Sequence, residues 1–500
     1  MVVPNNTYDL VVLGDDLAAL VCATLCARRG MRTLVLGDDR PARYTLGPHK
    51  LPIEPALWPV STGSPGDRVL KELHAELALR RKLREPRIAA QLVTPDLRID
   101  LGGDRLASEL QRELGKASET WIDRWAKGTE VARLGDPLLA SEHAFPGVGF
   151  FERREVTKLA DAAGEAANRW WDDAQTDPSA RLWRHLAAIA LRHPAAPPLA
   201  IARALDAWQA GPPSLRGDGD AVRELLVEKL TTAGGEVRSG KVTDATVSWG
   251  KLSSVTLANG DEIGAGQVVA SRTPEQLGEL LGKKAPKRLS ELSEGVELVG
   301  YRYTLNVVID EAGIPEHMAP TVAVVAAPDQ EPIGDAAFSI HLGETDDAGR
   351  VVATLAAVLA AENGAMTADR LAAKCMALRA GLWNRLGDVM PFFEKHLVLA
   401  HSPHEATVPQ VPGGRGSYDV PRNLPLAMSP VWKGKLAATA DTGAVSYIAG
   451  LKNLTLTGDQ ILPALGIEGA LAAGWSAAKV ACALAGKKKD YLRDEVVGAA

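Results

Sequence analysis

Two adjacent aspartates constrain this chain more than any other feature. They stand in the turn of YDLVVLGDDLAALVCATLCARRGMRTLVLGDD, residues 8–39. Leu10–Leu13 is a short apolar β run that ends at Gly14. Leu17–Arg29 carries apolar residues at 17, 20, 21 and 25, which is a helical period. Gly30 stops that helix, and Thr33–Leu36 is a second apolar strand. Strand, turn, helix and strand within about 30 residues predict a parallel βαβ unit. Such a unit holds a dinucleotide when its turn is rich in glycine. The first glycine makes the bend, the second lets backbone approach the pyrophosphate, and the third lets the helix pack on the strand. Gly14 keeps the first role, and Ala19 can serve the third. Asp16 takes the second, preceded by Asp15. An acidic residue is expected at the end of the second strand, to bond a ribose hydroxyl. That position is Gly37, followed at once by Asp38 and Asp39.

The structural alternative for Asp15 and Asp16 is helix capping, which fills the charge slot a pyrophosphate would take. Two like charges about 4 Å apart repel by about 1 kcal/mol in water and about 4 kcal/mol at an effective dielectric of about 20. A lost ribose hydrogen bond adds about 1–2 kcal/mol. The sum, on the order of 2–6 kcal/mol, is about 30- to 20,000-fold in affinity. The turn points to the fold more than to a bound cofactor.

The rest of the chain alternates in character. Residues 66–210 read as helices with one strand-like insert, Gln91–Leu101. Six of the eleven tryptophans fall there: Trp121, Trp125, Trp170, Trp171, Trp183 and Trp208. They predict either a tunnel for a long apolar substrate or, as such residues more often do, plain core. An amphipathic helix at 221–237 closes on Gly234-Gly235, and strands follow at Lys241–Ser248, Lys251–Leu257 and Gln267–Ala270. Asn259-Gly260 marks a hairpin between the last two. A second sheet region is predicted at Val299–Ile309, Pro320–Ala326, Ala336–Leu342 and Val351–Leu359, with a helix over Thr367–Leu386. A strand at Leu454–Thr457 and a helix from Glu468 end the pattern. One α/β domain interrupted by two insertions explains this layout. Residues 1–65, 215–295 and 436–486 form the discontinuous domain. Residues 66–214, helical and rich in Trp, and 296–435, sheet plus helix, form a substrate domain, and 487–500 is a tail.

Composition excludes several function classes. Net charge is −6 with scattered basic residues, so electrostatics predict no nucleic-acid partner. Cys22, Cys26, Cys375 and Cys482 lack CxxC spacing, so neither zinc nor a disulfide framework is expected. His396, His401 and His404 have no partners at ligand spacing except Glu405, and no metal is expected. The N-terminus lacks the basic region of a signal peptide, and no run of about 18 apolar residues is present. A cytoplasmic protein without a transmembrane segment is expected.

The C-terminal segment TGDQILPALGIEGALAAGWSAA, residues 457–478, makes the pattern specific. It resembles the flavin-binding segment of the phytoene desaturase and amine oxidase-like FAD-dependent oxidoreductases. Residues 217–271, helix, strand, hairpin and return strand, are similar to the central segment of that family. The resemblance implies an α/β fold: a discontinuous FAD-type Rossmann domain, glutathione-reductase-like, with an inserted mixed α+β substrate domain. It implies that Gly14, Asp15, Asp16 and Ala19 form the pyrophosphate turn, and that Gly37 and Asp38 mark the ribose position. Val242 would meet the adenine through its backbone. Gly458 and Asp459 would face the ribityl phosphate, and Gly466, Glu468, Gly469 and Ala470 would aim a helix N-terminus at the flavin ring. The structural alternative for this last group is that small residues allow close helix packing. The family's Arg-x-Gly-Gly turn is missing: the stretch at 38–55 has Arg40, Arg43 and Gly47 but no glycine pair.

Two functions follow. In one, the protein transfers hydride from a small hydrophobic or amine-bearing substrate to noncovalent FAD. No catalytic residue is legible, and such chemistry needs few protein acids or bases. In the other, the fold persists without catalysis, as a binding or scaffolding protein with weak or no flavin, like the GDP-dissociation-inhibitor relatives. The sequence leaves room for a homodimer.

Overall fold

The computed structural model describes residues 6–38, 41–55, 58, 63–84, 86–216, 218–362, 366–406, 410–411, 418–434, 436 and 439–486. Arg40 and the tail at 487–500 lie outside them.

The βαβ unit forms as the apolar periods require. Strand β1 (Thr7–Leu13) leads through the Gly14 turn into α1 (Leu17–Arg28) and then β2 (Thr33–Gly37). Asp16 is the N-cap of α1, its carboxylate accepting the Ala19 N–H at 2.8 Å. The hairpin β3 (Ala90–Val93) and β4 (Arg98–Leu101) follows. Then come helices α2 (Ser118–Leu134), α3 (Phe150–Ala174), α4 (Ser179–Leu191), α5 (Pro198–Ala210) and α6 (Asp218–Thr232). Strands β5 (Glu236–Ser239), β6 (Val242–Ser248), β7 (Lys251–Leu257) and β8 (Glu262–Ala270) return to the first sheet. The second sheet takes β9 (Val296–Asp310), β10 (Thr321–Val325), β11 (Ala337–Leu342) and β12 (Arg350–Ala360). Helix α7 (Ala368–Val389), β13 (Leu397–His401) and β14 (Ser429–Gly434) complete that unit. Strand β15 (Leu454–Leu456) and α8 (Gly466–Leu484) end the described chain.

Seven strands make the first sheet, in the order β6-β7-β8-β1-β2-β5, with β15 also pairing β8. β1 runs parallel to both β2 and β8, and β15 runs parallel to β8 with Val268 opposite Leu454. Three distant pieces of chain thus share one sheet, and the open crevice lies at their carboxyl ends. The second sheet orders as β13-β9-β12-β11-β10-β3-β4, with β14 also on β9. All its ladders are antiparallel except β10 with β3. The strand-like insert at 91–101 is therefore a hairpin that joins this sheet and leaves the helical layer. Gln91 fixes it there, bonding Asp100 at 2.7 Å and the Ala319 N–H at 3.0 Å. Helix α7 covers the second sheet with Cys375, Leu378, Leu382, Leu386 and Val389, one stripe at helical spacing.

The tryptophans belong to the core. Trp121, Trp125 and Trp170 surround Trp183 with ring centroids 6.3, 6.5 and 6.1 Å away. Trp208 is buried and bonds the Leu186 carbonyl. None of the six lines the cleft described below. The histidines also have structural partners: His401 Nδ1 meets the Tyr44 hydroxyl at 3.0 Å, and His404 Nδ1 the Leu426 carbonyl at 3.0 Å. No group of three or more potential metal ligands occurs among the described residues. No helix there is long and apolar enough to cross a membrane.

Helix α8 lies against α1 because its glycines permit contact. A Cβ on Gly474 would collide with the Ala18 carbonyl oxygen and stand 2.8 Å from Val21 Cβ. Gly474→Ala is expected to destabilise the protein by about 1–3 kcal/mol, read as a lower urea midpoint. An unchanged midpoint would show that the two helices part without cost.

Candidate functional site

Three strand ends meet at the floor of a cleft of about 460 Å³, within the usual range for small-ligand sites. Gly14 follows β1 with φ +106°, and a Cβ there would stand 3.1 Å from Ser271 Cβ. Ser271 follows β8. Gly458 follows β15 with φ +98°, where a Cβ would collide with Ser271 Oγ and lie 3.3 Å from Asp16 Oδ2. Both glycines sit where side chains are strained and space is lacking. The other walls come from α6, through Leu226 and Arg223, and from the second sheet, through Arg302, Pro430 and Trp432. Ile53, Glu54 and Trp58 close the far side.

Charge in the cleft is unbalanced. Among the described residues five carboxylates line it, Asp15, Asp16, Asp38, Glu54 and Asp459, against three guanidinium groups, Arg223, Arg272 and Arg302. Each arginine already holds an acid. Arg223 pairs with Asp15, Arg272 with Asp38 at 2.6 Å, and Arg302 with Asp459 at 2.6 Å and Glu54 at 3.6 Å. Glu54 also meets Arg192 at 3.5 Å. Asp16 instead takes neutral donors: the Ala19 N–H on Oδ1 and the Ser271 hydroxyl on Oδ2. Its carboxyl is pushed up to about 6, by burial in the protein mass first and by the Asp459 carboxylate second. The side chain nevertheless opens onto the cleft, so water there moderates the burial effect.

The front of this cleft does not fit FAD. A diphosphate crossing from α1 to Gly458 would run into the Asp16 side chain, which already occupies the gap between Ser271 and Gly458. The ribose position is also altered. A Cβ on Gly37 would lie 2.8 Å from Asp15 Oδ2, so Asp15 fills the space of the missing acid and is tied there to Arg223. With Asp15 in that place, only glycine fits at 37 without a shift.

The remaining sequence-predicted positions divide. Asp38, Gly458 and Asp459 line the cleft, whereas Ala19, Val242, Gly466, Glu468, Gly469 and Ala470 do not. Val242 sits opposite Leu257 in the β6–β7 ladder. Ile467 is the residue of the first turn of α8 that reaches the cleft. Glu468 turns the other way, gripped by Arg203 through two bonds of 2.6 Å. Gly469 serves packing: a Cβ would collide with the Leu462 carbonyl oxygen and lie 2.9 Å from Leu465 Cβ.

Sequence reasoning missed Arg302, Ser271 and Arg272. Arg302 had a signal, as a charged residue inside the apolar strand run VELVGYRYTLNVVID. Ser271 and Arg272 sit between a strand end and the capping box of Thr273 and Gln276, the place where an α/β sheet presents ligand contacts.

No protein-family model matches the sequence, and neither does any curated protein. Solved structures match in fold. Wild-type putrescine oxidase bound to putrescine aligns with a TM-score of 0.56 at 17% identity, over 95% of this chain and 99% of that one. A mutant from a structure-based redesign of cofactor binding in putrescine oxidase gives 0.59 at 16%, over 95% and 99%. An oxidoreductase from Methanosarcina mazei gives 0.54 at 11%, over 93% and 99%. At such identities the likeness is one of architecture. The chain has the α/β fold of the flavin amine oxidases, a Rossmann-type sheet drawn from three chain segments beside a second sheet domain.

Proposed function

We propose that this protein binds a small molecule in the inherited cleft and does not carry FAD as a resident cofactor at neutral pH. One observation carries the reading: the Asp16 carboxylate lies across the strand ends where a diphosphate would pass. The absence of an acid at Gly37, where the Asp15 carboxylate crowds any side chain, supports it. The cleft nonetheless keeps its volume, its glycine strand ends and apolar walls at Leu20, Leu226, Ile53 and Trp432. A pure scaffold has no need of such a cavity, so ligand binding suits it better than a scaffolding role. The ion pairs across its mouth supply the cross-links between segments that a bound cofactor would otherwise provide.

The other reading, an FAD-dependent oxidoreductase acting on a hydrophobic or amine-bearing molecule, is favoured by Asp16 itself. Because the Asp16 side chain is exposed to the cleft, its carboxyl lies no higher than about 6, and protonating it at pH 7 costs at least about 1.4 kcal/mol. Electrostatics alone therefore costs at least about tenfold at that pH, which is the low end of the range drawn from the sequence. The steric block by the Asp16 side chain is what tips the balance. Purified protein incubated with excess FAD near pH 7.5 and then desalted is expected to be colourless. Retained flavin absorbance in stoichiometric amount would overturn the proposal and restore the oxidoreductase.

A further inference from the structure

Asp16 is the cleft carboxylate whose bonds, among the described residues, all come from neutral donors. The acids facing it make matters worse. Asp459 beyond β15 and Asp15 on its own turn both repel its charge, while Arg302, Arg272 and Arg223 are engaged with Asp459, Asp38 and Asp15. Ser271 at the end of β8 contributes a hydroxyl and no charge. A second observation lies on the opposite lip. Thr457 and Gln460 flank Gly458-Asp459 and line the cleft, and Thr457 Oγ1 and Gln460 Oε1 are buried with no hydrogen-bond partner among the described residues. Gln460 spends its amide N–H groups on the Arg272 and Thr457 carbonyls, which leaves its oxygen as the unused atom. An excess of negative charge beside the unused Gln460 oxygen, which can only accept, calls for a ligand that donates hydrogen bonds and carries positive charge, and the Thr457 hydroxyl can serve it as an acceptor.

We propose that the crossing point of the cleft, at Asp16, Ser271 and Thr457–Gln460, is a binding site for a small organic ammonium ion with an apolar body. The inference rests on the reading that FAD does not occupy this place. The shape of the donor follows from Asp16. Each of its oxygens already accepts one hydrogen bond, so a planar guanidinium fork needs the remaining lone pairs of both oxygens to lie open in one plane, whereas a compact ammonium needs only one of them. The body of the ligand would run along Leu20, Leu226, Ile53, Trp58 and Trp432. Among the described residues no group of three or more His, Cys, Asp or Glu side chains gathers here, which argues for an organic cation over a metal ion.

The pH dependence has a definite sign. An ammonium needs Asp16 ionised, so its affinity rises with pH through the titration of that carboxyl and levels off above it. A phosphate-bearing ligand shows the reverse.

The test is equilibrium dialysis of the full chain against benzylammonium and against benzyl alcohol, its uncharged analogue. Near pH 8 the ammonium is expected to bind about tenfold or more tightly than the alcohol. Near pH 5 that preference should shrink to about twofold or less. Asp16→Asn keeps a capping oxygen and the side-chain shape, so the variant should fold as the parent does. It should bind both probes alike at either pH. Equal binding of the two probes to the parent near pH 8 overturns the proposal, as does an undiminished preference in Asp16→Asn. Displacement of benzylammonium by millimolar magnesium at constant ionic strength would show a metal site instead and overturn it as well. FAD is titrated in parallel. Tight FAD binding near pH 8 overturns the function proposed above. Failure of both FAD and the ammonium overturns this inference alone.

Discussion

Asp16→Gly is expected to raise the affinity for FAD at least tenfold at pH 7. The charge contribution alone accounts for that factor, because the exposed parent carboxyl lies no higher than about 6 and costs at least about 1.4 kcal/mol to protonate at pH 7. Removing the side chain also clears the gap between Ser271 and Gly458, so the gain should exceed the charge term. Two features separate this explanation from a general loosening of the turn. The parent should bind FAD more tightly as pH falls through about 6, by up to about tenfold per unit above it, and the variant should show no such slope. The helix loses its cap, yet glycine at an N-cap costs only a few tenths of a kcal/mol relative to aspartate. Fluorescence titration of FAD at several pH values measures both features. An affinity that does not move would mean that the turn no longer faces the diphosphate path.

Arg203→Met is expected to destabilise the protein by about 3–5 kcal/mol, the usual cost of stripping one partner from a buried ionic cluster. Arg203 is buried and donates to both oxygens of Glu468, to the Ala132 carbonyl at 2.6 Å and to Asp136 at 2.9 Å. Its pKa is held up because Glu468 and Asp136 outweigh the burial that alone would lower it. Methionine fills a similar volume and leaves the Glu468 carboxylate stranded at 15% exposure. Glu468 sits in the first turn of α8, where the helix dipole returns up to about 1 kcal/mol, so the lower part of the range is the better estimate. A double variant, Arg203→Met with Glu468→Gln, should recover part of the loss, since the stranded charge is then gone. Urea denaturation of the parent, both single variants and the double variant measures the coupling. Strict additivity would show that the two side chains act independently.

The sequence made most of the first sheet legible because hydrophobic period is a local property. Leu10–Leu13, Leu17–Arg29 and Thr33–Leu36 each declare themselves within a few residues, and Asn259-Gly260 does form the turn between β7 and β8. The hairpin at 90–101 was readable as strand, but its partner is β10, more than 200 residues away, and no local pattern names that partner. The candidate site divides in the same way. Asp16 was identifiable as an obstacle because a glycine was missing from a known spacing. The contact of Asp15 with Gly37 was not, since it depends on a side chain crossing between two turns. Arg302 and Arg203 were hidden for a related reason: each neutralises an acid that sequence alone would assign to the ligand, Asp459 and Glu468.

Strand β15 inserts beside β8 across a separation of about 186 residues, Val268 against Leu454. During synthesis the earlier strands of that sheet must therefore wait, with the carboxyl-terminal part of one β8 edge unpaired, until residues 454–456 have emerged. Long-range closure of this kind is slow, and an unfinished strand edge invites pairing with another molecule. The two inserted units can organise in the interval, so the late arrival of a three-residue strand governs when the cavity comes into being.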